Sequence, residues 1–357
     1  MGRAVAHQLH RSGRRVLILD RDAAAARRVG ATYAAGEARV GAADVRDTEG
    51  LARLLRGASV LVNCAPYRLN LAVMDAAIVA GCHYVDLGGL FHMTRRQLRR
   101  SAEFRRAGLL AVLGMGSAPG LTNLFAAAAA DGLRRVRAIR IYNGGGSASP
   151  NPDPLAFSFS PSTVLDELTE APFVFTRGRF QAGKPLTGTE RIRFELGRQQ
   201  VHLCLHSEVA TLPLAYRHKG LRECFFKVAH DPRQVELLRE MMARTPRDEL
   251  AERLQTRTAA AGSDGERDDL MVVVEGDDDR GPVTVRTEMV ARPQTRPPLS
   301  GVARDTGFPA AIVAGLIADG AIAARGVRAP EDCVPVAPVL AALARRGMRP
   351  RTTRRRH

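Results

Sequence analysis

Two polar clusters, at residues 63–67 and 84–89, contain the amide, hydroxyl and carboxyl groups that are best placed to bind a ligand. Each cluster follows a short apolar run that predicts a β-strand. Between the runs, apolar side chains recur at helical spacing over 70–81, where Asn70 could cap the start of the helix and Gly81 could close its end. A strand, helix and strand of this length form a right-handed parallel unit, which brings both clusters to the carboxyl edge of one sheet. Ligands bind at that edge in open α/β sheets.

The segment before these clusters is typical of a dinucleotide-binding fold. A helical pattern at 2–9 precedes an apolar strand at 15–20. Such folds open with a strand and the fingerprint G-x-G-x-x-G, and Gly2 matches only the last of these glycines. We therefore expect the first strand and the first two glycines to lie upstream of Met1.

Two acidic positions then fit the adenosine end of a dinucleotide. Asp20, at the end of its strand, stands at about the right distance from Gly2 to bond a ribose hydroxyl. Asp44 and Val45 follow a third strand and would lie at the adenine edge of the sheet. The alternative is an ordinary helix and strand in which Asp20 is only a strand-end acid.

A glycine-containing loop at 114–123 separates a sixth strand from an alanine-rich helix. Strand, glycine loop and helix form an anion-binding arrangement, because free backbone N–H groups and the helix dipole face the loop. The spacing matches neither G-x-G-x-x-G nor the P-loop, and the loop has no lysine, so nucleoside triphosphate binding is not expected. A tight turn between domains is the alternative.

The chain after the alanine-rich helix predicts a second domain built on a mostly antiparallel sheet, because its apolar segments alternate or run short. The predicted fold class is α/β: a Rossmann-like doubly wound parallel sheet without its first strand, followed by an α+β domain. The predicted boundaries are 1–123 for the dinucleotide-binding domain, 124–300 for the substrate and dimerisation domain, 301–344 for helices that return to the first domain, and 345–357 for a disordered basic tail.

The positive charge of the chain is almost entirely arginine. The formal net charge is +16, only Lys184, Lys219 and Lys227 are lysines, and seven arginines lie in 345–357. We interpret this charge as a solvated, disordered tail together with a general arginine preference, with no specific nucleic-acid partner. Nonspecific attraction to nucleic acid is the alternative, and it would collapse with salt.

Cysteine usage and hydropathy indicate a soluble, cytoplasmic protein without a metal site. Five scattered cysteines form no C-x-x-C pair, which favours a reducing compartment. No signal peptide or apolar run long enough to span a membrane is evident. His202 and His206 lie in an alternating strand pattern, where four residues span about 13 Å, too far for one metal ion.

Three ordered motifs resemble the saccharopine dehydrogenase (saccharopine reductase) family, which includes lysine 6-dehydrogenase and carboxynorspermidine dehydrogenase. They are N-C-A-P-Y at 63–67, Y-V-D-L-G-G at 84–89 and G-S-A-P-G-L-T-N at 116–123. The likeness continues through F-S-P at 159–161 with Asp166 and Glu167, T-L-P at 211–213, T-G-F-P at 306–309 and G-V-R-A-P-E at 326–331. It covers nearly the whole chain apart from the basic tail.

The resemblance implies a nicotinamide-dependent oxidoreductase that removes hydride from a carbon bearing nitrogen. In such an enzyme the protein fixes geometry and manages protons. Asn63, Ala65 and Pro66 would hold the nicotinamide ribose region. Asp86 and Tyr84 would hold the substrate amine or exchange its proton, with Tyr67 as a further hydroxyl. The alternatives are a carboxylate that caps a glycine turn for Asp86, and plain packing for the tyrosines.

The resemblance also implies a substrate site, a cofactor and binding partners. The site would use Gly116, Gly120, Thr122, Asn123 and Ser160, with loop N–H groups meeting a substrate carboxylate. The cofactor would be NAD or NADP, with NAD slightly favoured because Asp20 would repel a 2′-phosphate, although Arg21 could accept one. The partners would be a small amino acid or amine and a second copy of the chain, with no membrane.

Without the upstream glycines, a non-catalytic NAD(P)-binding-fold scaffold is the alternative function.

Overall fold

The computed structural model describes residues 1–33, 38–147, 153, 155–157, 159–261 and 265–357. Up to residue 112 helices and strands alternate: α1 (Gly2–Arg11), β1 (Val16–Asp20), α2 (Ala23–Gly30), β2 (Ala38–Ala42), α3 (Thr48–Leu54), β3 (Val60–Asn63), a 3-10 turn (Tyr67–Leu69), α4 (Asn70–Ala80), β4 (His83–Asp86), α5 (Leu90–Leu98), α6 (Ser101–Arg106) and β5 (Leu110–Val112).

Strands predominate in the middle of the chain. Its elements are α7 (Leu121–Asp131), β6 (Arg135–Ser147), α8 (Pro161–Thr169), β7 (Phe173–Thr176), β8 (Arg179–Ala182), β9 (Glu190–Phe194), β10 (Gly197–Leu203), α9 (Glu208–Tyr216), a 3-10 turn (Arg217–Lys219), β11 (Glu223–Ala229), α10 (Pro232–Met242), α11 (Arg247–Ala261), β12 (Glu266–Asp278), β13 (Gly281–Ala291), β14 (Gln294–Thr295) and β15 (Pro298–Leu299). The chain ends with α12 (Gly301–Ala318), β16 (Gly326–Arg328), α13 (Pro330–Cys333), α14 (Val336–Ala344) and β17 (Arg351–Arg356).

The chain divides into two compact units. The first comprises Met1–Leu121 and Thr306–Ala342, and the second comprises Thr122–Asp305 and Leu343–His357. Among the described residues, no helix is both long and apolar enough to cross a membrane.

The first unit contains the predicted parallel sheet in two pieces. β1 pairs with β2, and a separate four-stranded sheet has the order β16-β5-β4-β3, with every pair parallel. The strand–helix–strand unit predicted over 60–89 is confirmed, and Gly81 closes α4 in the left-handed conformation at φ 69°. Asn70 does not cap α4 as expected, because it is the first helical residue and its side chain turns toward Asp86.

The second unit is built on a nine-stranded sheet. Its main order is β17-β13-β12-β6-β11-β10-β9, and β7 and β8 extend from β11. β11 pairs with β6 in parallel and the other neighbours pair antiparallel, which confirms the prediction of a mostly antiparallel sheet. A hairpin turn in an aspartate-rich segment joins β12 to β13, where Asp278 pairs with Gly281.

The prediction of a disordered basic tail is wrong for Arg351–Arg356, which form the edge strand β17. The strand pairs along β13, from Glu288↔Arg351 to Val283↔Arg356. Both terminal nitrogens of Arg356 donate to the two Asp278 carboxylate oxygens, each at 3.0 Å, and Arg354 lies 3.6 Å from the same group. The acidic hairpin turn therefore offsets part of the charge that suggested disorder.

A buried carboxyl group in the second unit makes a pH-dependent contribution to stability. Asp305 is fully buried, and its carboxyl group lies beside the carboxyl group of Asp268. Burial raises its pKa well above the ordinary value, the neighbouring charge of Asp268 adds to this effect, and Arg304 opposes it. The folded state thus holds this proton more tightly than the unfolded state, and stability falls as the pH rises above the unfolded value.

We expect Asp305→Asn to stabilise the protein by about 2 kcal/mol at pH 8 and to change stability little near pH 2.5, where the carboxyl group is protonated in both states. The reason is that the amide, unlike the carboxyl group, releases no proton when the protein unfolds. Urea denaturation at the two pH values measures the difference. Asp279→Asn is the control, since its side chain is 89% exposed and should change stability little at either pH. An Asp305→Asn variant that is equally destabilised at both pH values would contradict the account.

Candidate functional site

The carboxyl ends of β1 and β2 bring together the residues predicted for the adenosine end of a dinucleotide. Asp20 pairs with Ala42 in the strand register, and its exposed carboxylate accepts the Asp22 N–H at 2.9 Å. Exposed Arg21 follows Asp20, and its charge acts on Asp44. Hydrogen bonds from Arg46 are the main cause that lowers the pKa of Asp44 to about 2. Asp44 is therefore ionised at neutral pH.

A pocket of about 320 Å³ adjoins this edge. It is lined by Ala42, Ala43, Asp44, Asp47, Gly50, Leu51, Arg53 and Leu54. The cavity has a volume at the lower end of the range of small-molecule sites. Asp44 faces it, whereas Val45 packs against the core of the unit.

A buried polar network surrounds Asp86 at the carboxyl ends of β3 and β4. We call it the Asp86 network, and it comprises Asn63, Asn70, Tyr84, Asp86 and Gln97. Oδ2 of Asp86 accepts from Gln97 at 2.6 Å, the Tyr84 hydroxyl at 3.0 Å and Asn70 at 3.3 Å.

The other carboxylate oxygen of Asp86 holds the backbone. Oδ1 accepts the N–H groups of Gly114, at 2.6 Å, and Gly88, at 3.1 Å. One carboxylate thereby fixes the turn after β4 and the loop after β5.

The burial of this network bears on the roles predicted for Asp86 and Tyr84. Asp86 is 1% exposed and Tyr84 is not exposed at all. Burial raises the pKa of Asp86 despite its donors, and burial together with the Asp86 charge raises the pKa of Tyr84 well above its ordinary value. Direct proton exchange with a substrate stays a prediction. The geometry favours a positioning role for both residues.

The segment after β3 places the other residues predicted at the nicotinamide end. Oδ1 of Asn63 accepts the Ala65 N–H at 3.0 Å, which forms a local turn, and Pro66 is exposed. Tyr67 is half-buried at the start of a 3-10 turn, with the Arg68 guanidinium 5.3 Å from its ring centre. Of these side chains, Tyr67 carries a hydroxyl group, and its part in proton exchange stays a prediction.

Gly2 lies close to the same segment in the first unit. A Cβ atom placed on Gly2 would be 3.7 Å from the Cβ of Cys64. The structure thus brings the first turn of α1 to the carboxyl end of β3, where the predicted nicotinamide residues begin.

The predicted anion-binding loop is buried and tightly closed. Gly116 and Gly120 form an isolated bridge, and the Leu121 N–H donates to the Gly116 carbonyl at 2.9 Å. Gly120 has a φ of 126°, and a Cβ there would lie 2.2 Å from the Gly116 oxygen. This position requires glycine because the backbone of the loop occupies the space of a side chain. Binding of substrate by Gly116 and Gly120 stays a prediction.

The remaining predicted substrate residues make contacts within the second unit. The Thr122 hydroxyl donates to Oε1 of Glu208 at 2.7 Å, and Asn123 donates to Thr211 at 3.3 Å. The Ser160 and Ser162 hydroxyls lie 2.8 Å apart at the start of α8. The side chains of Thr122 and Asn123 are buried, so their contact with a substrate stays a prediction.

Sequence reasoning assigned no function to two sets of polar residues. Asn70 and Gln97 complete the Asp86 network, and Glu167, His206 and Glu208 gather near Thr122. A signal was present in the second set, since acids and a histidine interrupt the apolar runs at 164–168 and 204–209. Gln97 gave no such signal because it lies in a segment rich in arginine, which is typical of a solvated helix face.

His202 and His206, which the sequence analysis considered as possible metal ligands, make other contacts. Nε2 of His202 lies 2.9 Å from Nδ1 of His230, and the rings stack with an interplanar angle of 11°. Across the part of the chain that the structure describes, no group of three or more His, Cys, Asp or Glu side chains could hold a metal ion.

Comparisons with known proteins identify both parts of the chain. Residues 1–112 match the family model described as the saccharopine dehydrogenase NADP binding domain. Residues 116–348 match the model described as the saccharopine dehydrogenase C-terminal domain. The two matches lie side by side and include the Asp20 edge, the Asp86 network and the second-unit sheet except for β17.

Individual relatives agree with these models. Carboxyaminopropylagmatine dehydrogenase of Synechocystis sp. is 26% identical over 208 residues, which are 55% of this chain and 52% of the relative, so the match spans about half of that protein. The fold resembles apo saccharopine dehydrogenase (L-Glu forming) from Saccharomyces cerevisiae, with a TM-score of 0.75 and 16% identity over 99% of this chain and 97% of that chain. The fold class predicted from the sequence is thereby confirmed, and the chain belongs to the saccharopine dehydrogenase family.

Proposed function

We propose that this protein is a nicotinamide-dependent oxidoreductase acting on a CH–NH group of an amino acid or related amine. The observation that carries the proposal is the acidic edge at β1 and β2. Asp20 and Asp44 lie there beside a pocket of about 320 Å³, within the segment that matches a family NADP-binding domain. A carboxylate at this place in a Rossmann-like sheet suits a ribose hydroxyl.

The residues of the first unit fit a dinucleotide in extended form. Asp20 would bond the adenosine ribose, and Asp44 with Val45 would border the adenine. Asn63, Ala65 and Pro66 would hold the nicotinamide ribose, and Gly2, as the last glycine of the fingerprint, would begin the helix that follows the pyrophosphate loop. The nicotinamide ring accepts the hydride when bound. The protein has to hold the reacting carbon near it, and the Asp86 network keeps the carboxyl ends of β3 and β4 rigid for that purpose.

The substrate proposed is a lysine- or saccharopine-type amine. The name of the Synechocystis relative indicates a substrate with several nitrogen atoms, and the family name indicates an amino acid. Loss of hydride from the carbon leaves an iminium, so a proton must also leave the nitrogen. Tyr67 is the accessible hydroxyl for this exchange in the first unit, and Asp86 with Tyr84 would position the site around it.

A cofactor titration followed by turnover tests the proposal. NADH and NADPH fluorescence would be titrated into this chain and into a chain extended upstream in frame, since only Gly2 of the glycine fingerprint is in this sequence. The same samples would then be assayed with lysine, saccharopine and carboxynorspermidine. Binding and turnover by either chain support the proposal. If neither chain binds a nucleotide, the scaffold role becomes the better account.

Asp20 is expected to favour NAD over NADP. We expect Asp20→Asn to improve NADPH binding about tenfold relative to NADH, because the substitution removes a negative charge that would face the 2′-phosphate. Dissociation constants from the same fluorescence titration provide the measurement. Asp44→Asn is the matched control, and its effect should be smaller because Arg46 already neutralises Asp44. If the ratio of the NADPH and NADH dissociation constants is the same in Asp20→Asn as in the wild type, Asp20 does not determine which cofactor is preferred.

A homodimer and a cytoplasmic location are further parts of the proposal. Both derive from the resemblance and from the composition of the chain. Light scattering across a concentration series would test the first, and fractionation of the source cells would test the second.

A further inference from the structure

A cluster of polar side chains lies buried in the second unit, separate from the acidic edge and the Asp86 network. We call it the Glu208 cluster, and it comprises Thr122, Glu167, His206 and Glu208. It draws on α7, α8, α9 and the segment after β10. Glu208 is fully buried, Glu167 is 5% exposed and His206 is 7% exposed. Titratable groups are rarely buried in this number without a specific use.

His206 and Glu208 form a closed ion pair within the cluster. Nδ1 of His206 bonds one carboxylate oxygen of Glu208, and the Thr122 hydroxyl bonds the other at 2.7 Å. The His206 ring stacks on Phe226 at 3.8 Å with an interplanar angle of 8°. Burial alone would lower the pKa of His206, but Glu208 and then Glu167 raise it overall. The raised pKa favours the imidazolium form of His206, in which its charge cancels that of the Glu208 carboxylate.

The neighbouring acid on α8 also has its own cation. Asp166 is 1% exposed and bonds the Arg247 guanidinium, which in turn donates to the Ser162 carbonyl at 3.1 Å. Arg247 thus neutralises Asp166 just as His206 neutralises Glu208.

Glu167 differs from both of these acids. Among the residues that the structure describes, its carboxyl group has neither a hydrogen-bond partner nor an ion pair. The two cations of this region, Arg247 and His206, are thus each paired with another acid. Glu167 is the third buried acid and has no cation of its own. An unpaired carboxylate in such surroundings is costly unless a positive group joins it.

We propose that the Glu167 carboxylate is the counter-ion for an ammonium group of the substrate, bound in the second unit beside the His206–Glu208 pair. A metal ion suits the place less well, since the described residues offer no group of three or more metal-binding side chains. An alkylammonium needs only one carboxylate and can keep its chain against apolar surroundings. The identification of this cation with the substrate rests on the proposed function, whereas binding of an ammonium compound does not.

The pH dependence of binding follows from the groups around Glu167. Burial is the main cause that raises the pKa of Glu167 to about 7, Asp166 and Glu208 raise it further, and His206 lowers it. The carboxylate form thus increases between pH 6 and pH 8. An ammonium probe should bind roughly tenfold more tightly at pH 8 than at pH 6.

The experiment measures binding of n-butylammonium chloride to the full chain by the ligand-induced shift in melting temperature, with n-butanol as the uncharged probe of similar size. Wild-type protein should respond to n-butylammonium more strongly at pH 8 and respond little to n-butanol. Glu167→Gln should abolish the n-butylammonium response and its pH dependence. Glu236→Gln on exposed α10 is the matched control for a lost charge and should retain both. Glu167→Asp, which keeps the charge, should retain a weakened response.

Measurements of turnover distinguish a failure of this inference from a failure of the proposed function. With an amine that the protein oxidises, Glu167→Gln should raise KM at least tenfold with a smaller change in kcat, while the Kd for NADH stays the same. Equal n-butylammonium responses in wild type and Glu167→Gln would overturn the inference even if the enzyme turns over. A charge-dependent response without turnover on any amine would support the ammonium site and count against the dehydrogenase.

Discussion

A Gly120→Ala variant is expected to lose about 4 kcal/mol of unfolding free energy, from backbone strain and steric overlap together. Gly120 has a φ of 126°, where residues with side chains are strained. The added Cβ would also lie 2.2 Å from the oxygen and 2.5 Å from the nitrogen of Gly116. Because both are backbone atoms in a bridged loop, no side-chain rotation relieves the overlap. Urea denaturation followed by circular dichroism measures the loss.

Gly81→Ala separates the steric part of that effect from the conformational part. Gly81 also has a positive φ, of 69°, but a Cβ there would meet nothing within 4 Å. Its substitution should cost about 1 kcal/mol. Similar losses for the two variants would show that the close approach of Gly116 and Gly120 is not what makes the loop depend on glycine.

The second large effect is expected at the centre of the Asp86 network. Asp86→Ala should reduce the unfolding free energy by about 4 kcal/mol, because it leaves buried donors unpaired and opens a cavity. The backbone N–H groups of Gly88 and Gly114 cannot turn toward other acceptors. The turn after β4 and the loop after β5 also lose their link, so NADH affinity should fall in parallel. Denaturation and NADH fluorescence on the same preparation measure both effects.

Asp86→Asn distinguishes positioning from proton exchange. The amide oxygen can still accept from Gly88 and Gly114, while Gln97 and Tyr84 can reorient to accept from the amide nitrogen. A positioning residue should then retain most stability and most of kcat. A folded Asp86→Asn enzyme that binds NADH normally but has lost turnover would instead place Asp86 in the proton transfer.

Local signals in the sequence predicted much of the fold. Asp22 and Asp231 cap α2 and α10 through their own side chains, a role for which aspartate is preferred at helix starts. The parallel register of Asn63 with Asp86 follows from the length of the strand–helix–strand unit. Short-range rules sufficed there because the interactions that decide these elements lie within a few residues.

Long-range contacts explain what the sequence did not predict. The tail has a strand partner only because β13 offers an edge and Asp278 offers a charge, neither of which is near it in sequence. The basic segment after β4 forms two helices, α5 and α6, and Arg100 between them donates to the distant Leu71 carbonyl. The Glu208 cluster combines residues from four separate segments, and its charge balance is evident only when Arg247 is seen beside Asp166.

The arginine-rich strand β17 also has a consequence for solubility. It is the last strand on its side of the sheet, and four of its six residues are arginine. Open sheet edges attract other chains and can start aggregation. If two such edges aligned antiparallel and centred, Arg351 would face Arg356, and the like charges would repel. The C-terminal strand therefore protects the sheet against edge-to-edge growth between molecules, and it can do so without covering the edge.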